Sequence, residues 1–102
     1  MPTLQQYFQD ARQKGYAIGH FNFATADVLR AIVEGAMAGG APCVMVGNSE
    51  GEADYLGVRS AVALVRAISE ASDYPVFLNA DHFKTFDACK NAIDAVYDTV
   101  LF

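Results

Sequence analysis

Strand-like apolar runs alternate with helix-like stripes along the whole chain, and this alternation restricts the fold more than any other feature. The runs fall at residues 16–23, 41–46, 74–81 and 98–102. Helical spacing of apolar residues is predicted over 3–14, from Thr25 to Gly39-Gly40, over 58–72 and over 86–96. Strands separated by helices of about a dozen residues imply right-handed βαβ units and a parallel sheet. Two closures satisfy the order of one helix, three βα units and a fourth strand. One is the N-terminal half of a TIM (β/α)8 barrel; the alternative is a small open parallel sheet. The last run, Val100-Leu101-Phe102, needs a covered face and a neighbour on its free edge. The expectation is therefore that residues 1–102 are a single partial domain, an incomplete barrel cut from a longer chain.

Local signals support the elements one by one. Thr3 suits the N-cap of the first helix, whose stripe is Leu4, Tyr7, Phe8 and Ala11, and Gly15 suits its left-handed end. Thr25 is the expected cap of the second helix, with Val28, Leu29, Ile32, Val33, Ala36 and Met37 as its buried face. Residues 47–57 are polar and glycine-containing and read as a long strand-to-helix loop. Val58, Ala61, Val62, Val65 and Ile68 form the inner face of the third helix; Thr85 caps the fourth.

Composition narrows the function classes. Seven basic against twelve acidic side chains give a net charge of −5, and the cations are scattered, so no nucleic-acid partner is expected. The N-terminus lacks a basic region followed by an apolar run, and no apolar stretch would span a bilayer, so neither secretion nor a membrane partner is expected. Cys43 and Cys89 have neither CxxC spacing nor disulfide-scaffold density, which points to a reduced, cytoplasmic setting.

The chemistry concentrates at Asp81-His82. The run Val76-Phe77-Leu78 suits a strand buried on both faces, and Asn79, Asp81 and His82 follow at its C-terminal end. Parallel α/β folds hold ligands and metals at that end. A neutral imidazole there is able to ligate zinc, and an adjacent carboxylate to move a proton. The plain alternative is a loop histidine beside a helix-flanking aspartate. Asn22 ends the first strand and would point to the same mouth, or else cap the next helix; His20 reads as a hydrogen-bonded core histidine. Ser49 or Asn48 would hold a substrate oxygen, or else make ordinary loop hydrogen bonds. Glu50, Glu52 and Lys84 read as solvated side chains before they read as ligands.

Several stretches together resemble the class II, metal-dependent fructose-bisphosphate aldolases. They are Gly15-Tyr16-Ala17-Ile18-Gly19-His20-Phe21-Asn22, the helix from Leu29 to Ala36, Ala41-Pro42, the Ser49-Glu50-Gly51-Glu52 stretch and Leu78-Asn79-Ala80-Asp81-His82. Asp94, Tyr97-Asp98 and Val100-Leu101-Phe102 continue the likeness, with Val96 where that family has glycine. The resemblance implies zinc-dependent, reversible aldol cleavage of a ketose bisphosphate on a TIM barrel. Fructose-1,6-bisphosphate would give dihydroxyacetone phosphate and glyceraldehyde 3-phosphate. Zinc would polarise the carbonyl and stabilise the enediolate. His82 would be a zinc ligand, Asp81 the catalytic acid/base, and Asn22 and Ser49 (or Asn48) substrate contacts. The full-length form would be a homo-oligomer. The family takes its remaining zinc ligands and its phosphate loops from later strands, whereas this chain has two histidines and reaches only a fourth strand. Alternatives are a tagatose-bisphosphate-type aldolase or a non-catalytic α/β binding module, though no GxGxxG or Walker-type loop supports the latter.

Overall fold

The first helix forms for local reasons. In the computed structural model, which describes residues 1–102, α1 spans Leu4–Lys14. The Gln6 N–H donates to Thr3 Oγ1 at 3.2 Å and the Thr3 N–H to Gln6 Oε1 at 2.8 Å, a reciprocal capping box. Gly15 ends the helix at φ 77°, its N–H returning to the Ala11 carbonyl. The Tyr16 hydroxyl then donates to Asp10 at 2.7 Å, and Lys14 lies 3.0 Å from the same carboxylate. These contacts, the Tyr16 bond first, hold the Asp10 carboxyl below its ordinary range, and the same bond pushes Tyr16 up to about 12.

The remaining order is β1 (His20–Asn22), α2 (Ala26–Ala38), β2 (Val44–Ser49), α3 (Glu50–Leu56), α4 (Val58–Ser72), β3 (Val76–Asp81), α5 (Phe86–Asp94) and β4 (Thr99–Val100). The strands form one sheet in the order β1-β2-β3-β4, every pair parallel. Consecutive parallel order with an intervening helix each time is the (β/α) barrel pattern, here a partial α/β barrel with β1 and β4 as its free edges.

Three expectations need correction. The first strand shrinks from residues 16–23 to His20–Asn22, because a ladder needs a partner and β2 begins only at Val44. The second strand is shifted from 41–46 to Val44–Ser49, staying paired with β3 as far as Ser49 opposite Asp81. The long loop over 47–57 is replaced by that strand end and by α3. Ser49 caps α3: the Glu52 N–H donates to Ser49 Oγ at 3.2 Å and the Ser49 N–H to Glu52 Oε1 at 2.8 Å.

Helices α2, α4 and α5 cover one face of the sheet. Leu29 and Val33 from α2, Ala61 and Val65 from α4 and Ala92 from α5 pack on Val44, Val46, Val76, Leu78 and Ala80. Burying each Val or Leu side chain stabilises by about 1.5–3 kcal/mol relative to exposure. Val28 and Met37, expected in this core, are exposed. Val28 instead lines an open apolar groove of about 610 Å³ with Phe21, Ile32 and Cys43, on the flank where β1 has no neighbour. Ile93 and Val96 at the other flank are exposed too.

Three helices end in the same Schellman pattern, with different residues at the left-handed position. It is Gly40 (φ 74°) after α2, Asp73 (φ 48°) after α4 and Val96 (φ 75°) after α5. At the last, the Val96 N–H bonds the Ile93 carbonyl at 2.9 Å and the Tyr97 N–H the Ala92 carbonyl at 3.0 Å. Arg66 of α4 donates to the Val96 carbonyl at 3.0 Å and pairs with Asp98 at 3.2 Å, while Asp98 accepts from the Leu78 N–H at 2.7 Å. The α5–β4 turn is thereby tied to both α4 and β3.

Candidate active site

Side-chain parity decides what lines the second face of the sheet. Residues two apart share a face, so Val44, Val46 and Asn48 point to the helices while Met45, Gly47 and Ser49 point away from them. The same count puts Phe77, Asn79 and Asp81 of β3 on that second face, with His20 and Asn22 of β1. The Tyr7 ring packs edge-on against Phe77 at 5.8 Å, so α1 covers the N-terminal end of the face. Its C-terminal end is polar and open.

Asp81 closes β3, half-buried, and His82 follows at φ 54°, a left-handed conformation that costs a residue with a Cβ about 1–3 kcal/mol. The imidazole is 76% exposed, and Nε2 stands 3.9 Å from Asp81 Oδ1, beyond hydrogen-bond reach. Asp81 Oδ2 accepts a 2.9 Å bond from Asn22 Nδ2, so the structure does bring the ends of the first and third strands together. One carboxylate oxygen is held by an amide and the other is left for a ligand.

Ser49 lies opposite Asp81 in the ladder, at the same end of the same face. Its hydroxyl oxygen accepts the α3 cap and retains its own proton for donation. Asn48 is placed otherwise. It is fully buried on the helix side, its Nδ2 donating to the Phe23 carbonyl at 2.8 Å and its Oδ1 accepting from the Tyr97 hydroxyl at 2.8 Å. Its expected role as a substrate contact is corrected to that of a tie between β1, β2 and the segment entering β4. Burial pushes the Tyr97 phenol up to about 12.

His20 is exposed rather than in the core, yet it is hydrogen-bonded: its Nε2 lies 3.2 Å from Asn79 Nδ2. Asn79 Oδ1 accepts from the Thr99 hydroxyl at 2.7 Å, which orients the amide so that its NH2 faces the imidazole. The sequence places Asn79 in the polar cluster with Asp81 but gives it no role, and it gives no signal for Thr99. Glu52 is committed to the α3 cap, and Glu50 Oε1 accepts from the Lys84 N–H at 3.2 Å, tying α3 to the turn after His82.

Residues 2–102 match the family model described as fructose-bisphosphate aldolase class-II. The chain belongs to that family. A fructose-bisphosphate aldolase of Helicobacter pylori is 35% identical over 92 residues, covering 89% of this chain and 30% of the relative. One of Staphylococcus epidermidis is 33% identical over 102 residues, covering 97% and 35%. The chain thus spans about a third of the length of the curated relatives it matches. The crystal structure of the YdjI aldolase from Escherichia coli K12 superimposes with a TM-score of 0.83 at 20% identity over 97% of this chain and 38% of that one. That likeness supports the aldolase-type α/β fold. The family's members carry the chemistry of a carbon–carbon lyase, and no helix in the chain is long and apolar enough to cross a membrane.

Proposed function

We propose that this chain supplies the first strand ends of a class II aldolase site for reversible aldol cleavage of a ketose bisphosphate. Fructose-1,6-bisphosphate, yielding dihydroxyacetone phosphate and glyceraldehyde 3-phosphate, is the substrate in keeping with the relatives' names. The observation that carries the reading is the Asn22–Asp81 bond beside His82 at the C-terminal end of a parallel sheet. Residues 1–102 would be one part of a single barrel domain, in a protein that works in the cytoplasm as a homo-oligomer.

In this reading Asp81 takes and returns the proton of the substrate hydroxyl that becomes the aldehyde oxygen. Asn22 holds one carboxylate oxygen, so the lone pairs of the other are aimed at the reacting hydroxyl. Asn22 and the Ser49 hydroxyl contact substrate oxygens at the rim. Zinc, when bound, would supply Lewis-acid stabilisation of the enediolate. No group of three or more His, Cys, Asp or Glu side chains in this chain is arranged to hold a metal. Catalytic zinc sites take three protein ligands. These residues therefore do not make a zinc site by themselves, and His82 is proposed as one donor of a larger set.

Calorimetric zinc titration of the chain tests this, with His82→Ala and Asp81→Ala alongside. Binding that is weakened by His82→Ala supports the assignment. Binding indifferent to that substitution removes His82 as a metal donor, and no binding at all shows that the chain alone keeps no usable half-site.

A further inference from the structure

Asn22 and Asp81 lie on strands that do not touch. β2 runs between β1 and β3, and neighbouring strands are about 4.8 Å apart, so the two backbones are separated by roughly twice that distance. A side chain from β1 meets one from β3 only by passing over β2. Two such crossings occur, Asn22 to Asp81 at 2.9 Å and His20 to Asn79 at 3.2 Å, and both pass over Gly47. A Cβ at Gly47 would stand 2.5 Å from His20 Nε2 and 2.8 Å from Asn22 Oδ1, closer than atoms pack.

The backbone does not ask for glycine there. Gly47 is in the middle of β2, paired to Asn22 on one side and Asn79 on the other, and is not among the glycines with positive φ. What the position requires is the absence of a side chain. Both of the obstructed groups are ends of movable side chains, so an added methyl group displaces them and leaves the sheet in place.

We infer that Gly47 is a positioning residue of the proposed reaction: its bare backbone is the gap through which Asn22 and His20 cross β2 to hold Asp81 and Asn79. This rests on the reading of Asp81 as the proton-transfer group. The consequence is a separation of roles along β2. Val46 and Asn48 on either side hold the fold from the helix face, while Gly47 between them sets the carboxylate on the opposite face.

The test uses metal-free protein and NMR, so its outcome is independent of the zinc titration. In the unsubstituted chain the Asn22 side-chain amide protons give cross-relaxation peaks to the Gly47 Hα protons, and His20 Nε2 has the nitrogen shift of an unprotonated acceptor. Gly47→Ala should abolish those peaks, remove the His20 tautomer preference and shift the Asp81 carboxyl carbon, with the circular dichroism spectrum unchanged. Asn22→Ala should move the Asp81 carbon by a similar amount, and the double variant no further, because both act through one hydrogen bond. Absence of the Asn22–Gly47 peaks in the unsubstituted chain overturns the inference without any variant having to fold. Additive shifts in the double variant, or an Asp81 carbon unmoved by Gly47→Ala, overturn it equally.

Discussion

Val96 is a β-branched residue at φ 75°, in the Schellman position that Gly40 fills after α2, and replacing it separates backbone strain from packing. The side chain is 62% exposed, so little burial is at stake in truncating it. Val96→Ala removes that burial and keeps a Cβ in the left-handed conformation. Val96→Gly removes both. The left-handed backbone costs a non-glycine residue about 1–3 kcal/mol. Glycine's greater freedom in the unfolded chain takes back about 0.4–1 kcal/mol. The glycine variant should therefore be more stable than the alanine variant by about 1 kcal/mol, or roughly 4–8 °C in Tm for a domain of this size. At an ordinary helix position the order is reversed by about 0.5–1 kcal/mol, which makes the sign of the difference decisive. Urea titrations followed by circular dichroism measure it, provided the m-value is unchanged. Gly40→Ala serves as the internal control, since a Cβ there meets nothing within 4 Å and any loss comes from the backbone. An alanine variant at 96 as stable as the glycine variant, or more so, would refute the reasoning.

Other consequences are open to measurement. Asn48→Ala leaves the Phe23 carbonyl and the Tyr97 hydroxyl without partners in the core, at about 1–3 kcal/mol each, so the urea midpoint should fall sharply. A loss under about 1 kcal/mol would show that the tie is dispensable. Tyr97 has a folded pKa of about 12, above the ordinary value near 10. The native state thus holds that proton more tightly, and the stabilisation, complete below pH 10, is lost as pH rises towards 12. Tyr97→Phe should flatten stability against pH over that window, and tyrosinate absorbance should show one phenol fewer titrating late. Asp98→Ala leaves the Leu78 N–H without its partner and Arg66 with only the Val96 carbonyl, so Leu78 amide exchange should accelerate by about tenfold or more, the equivalent of 1.4 kcal/mol. Unchanged exchange at Leu78 would mean that β4 is held without Asp98.

The helices were legible in the sequence because their signals are local. Thr3, Gly15 and Thr85 cap as their residue types predict, and α4 covers 58–72 as expected. Thr25 sits at the N-cap of α2 but donates its hydroxyl to Asp27 instead of capping, a choice the side chain makes within its own turn. Strand lengths were not legible, since a strand extends only as far as its neighbour does; residues 16–18 lie outside β1 for that reason. The Ser49–Glu52 capping box was readable as a Ser-x-x-Glu spacing, yet the polar stretch around it looked like a loop. That misreading also set Asn48 beside Ser49 as equivalent candidates, when strand parity sends them to opposite faces of the sheet. Asp81, His82 and Asn22 stand out in the sequence because they fall at or just past strand ends, whereas Gly47 gives no chemical signal at all.

The neighbour-to-neighbour strand order carries a kinetic consequence. Each strand pairs with the one made just before it, so every pairing in the sheet closes a crossover of only about 20–32 residues. The two crossings over β2 are different, each joining residues 59 apart in sequence. Closure entropy places such contacts after the local ones have formed. Asn22 and His20 thus have no side-chain partner until β3 docks beside β2, and the polar mouth comes into being with that step.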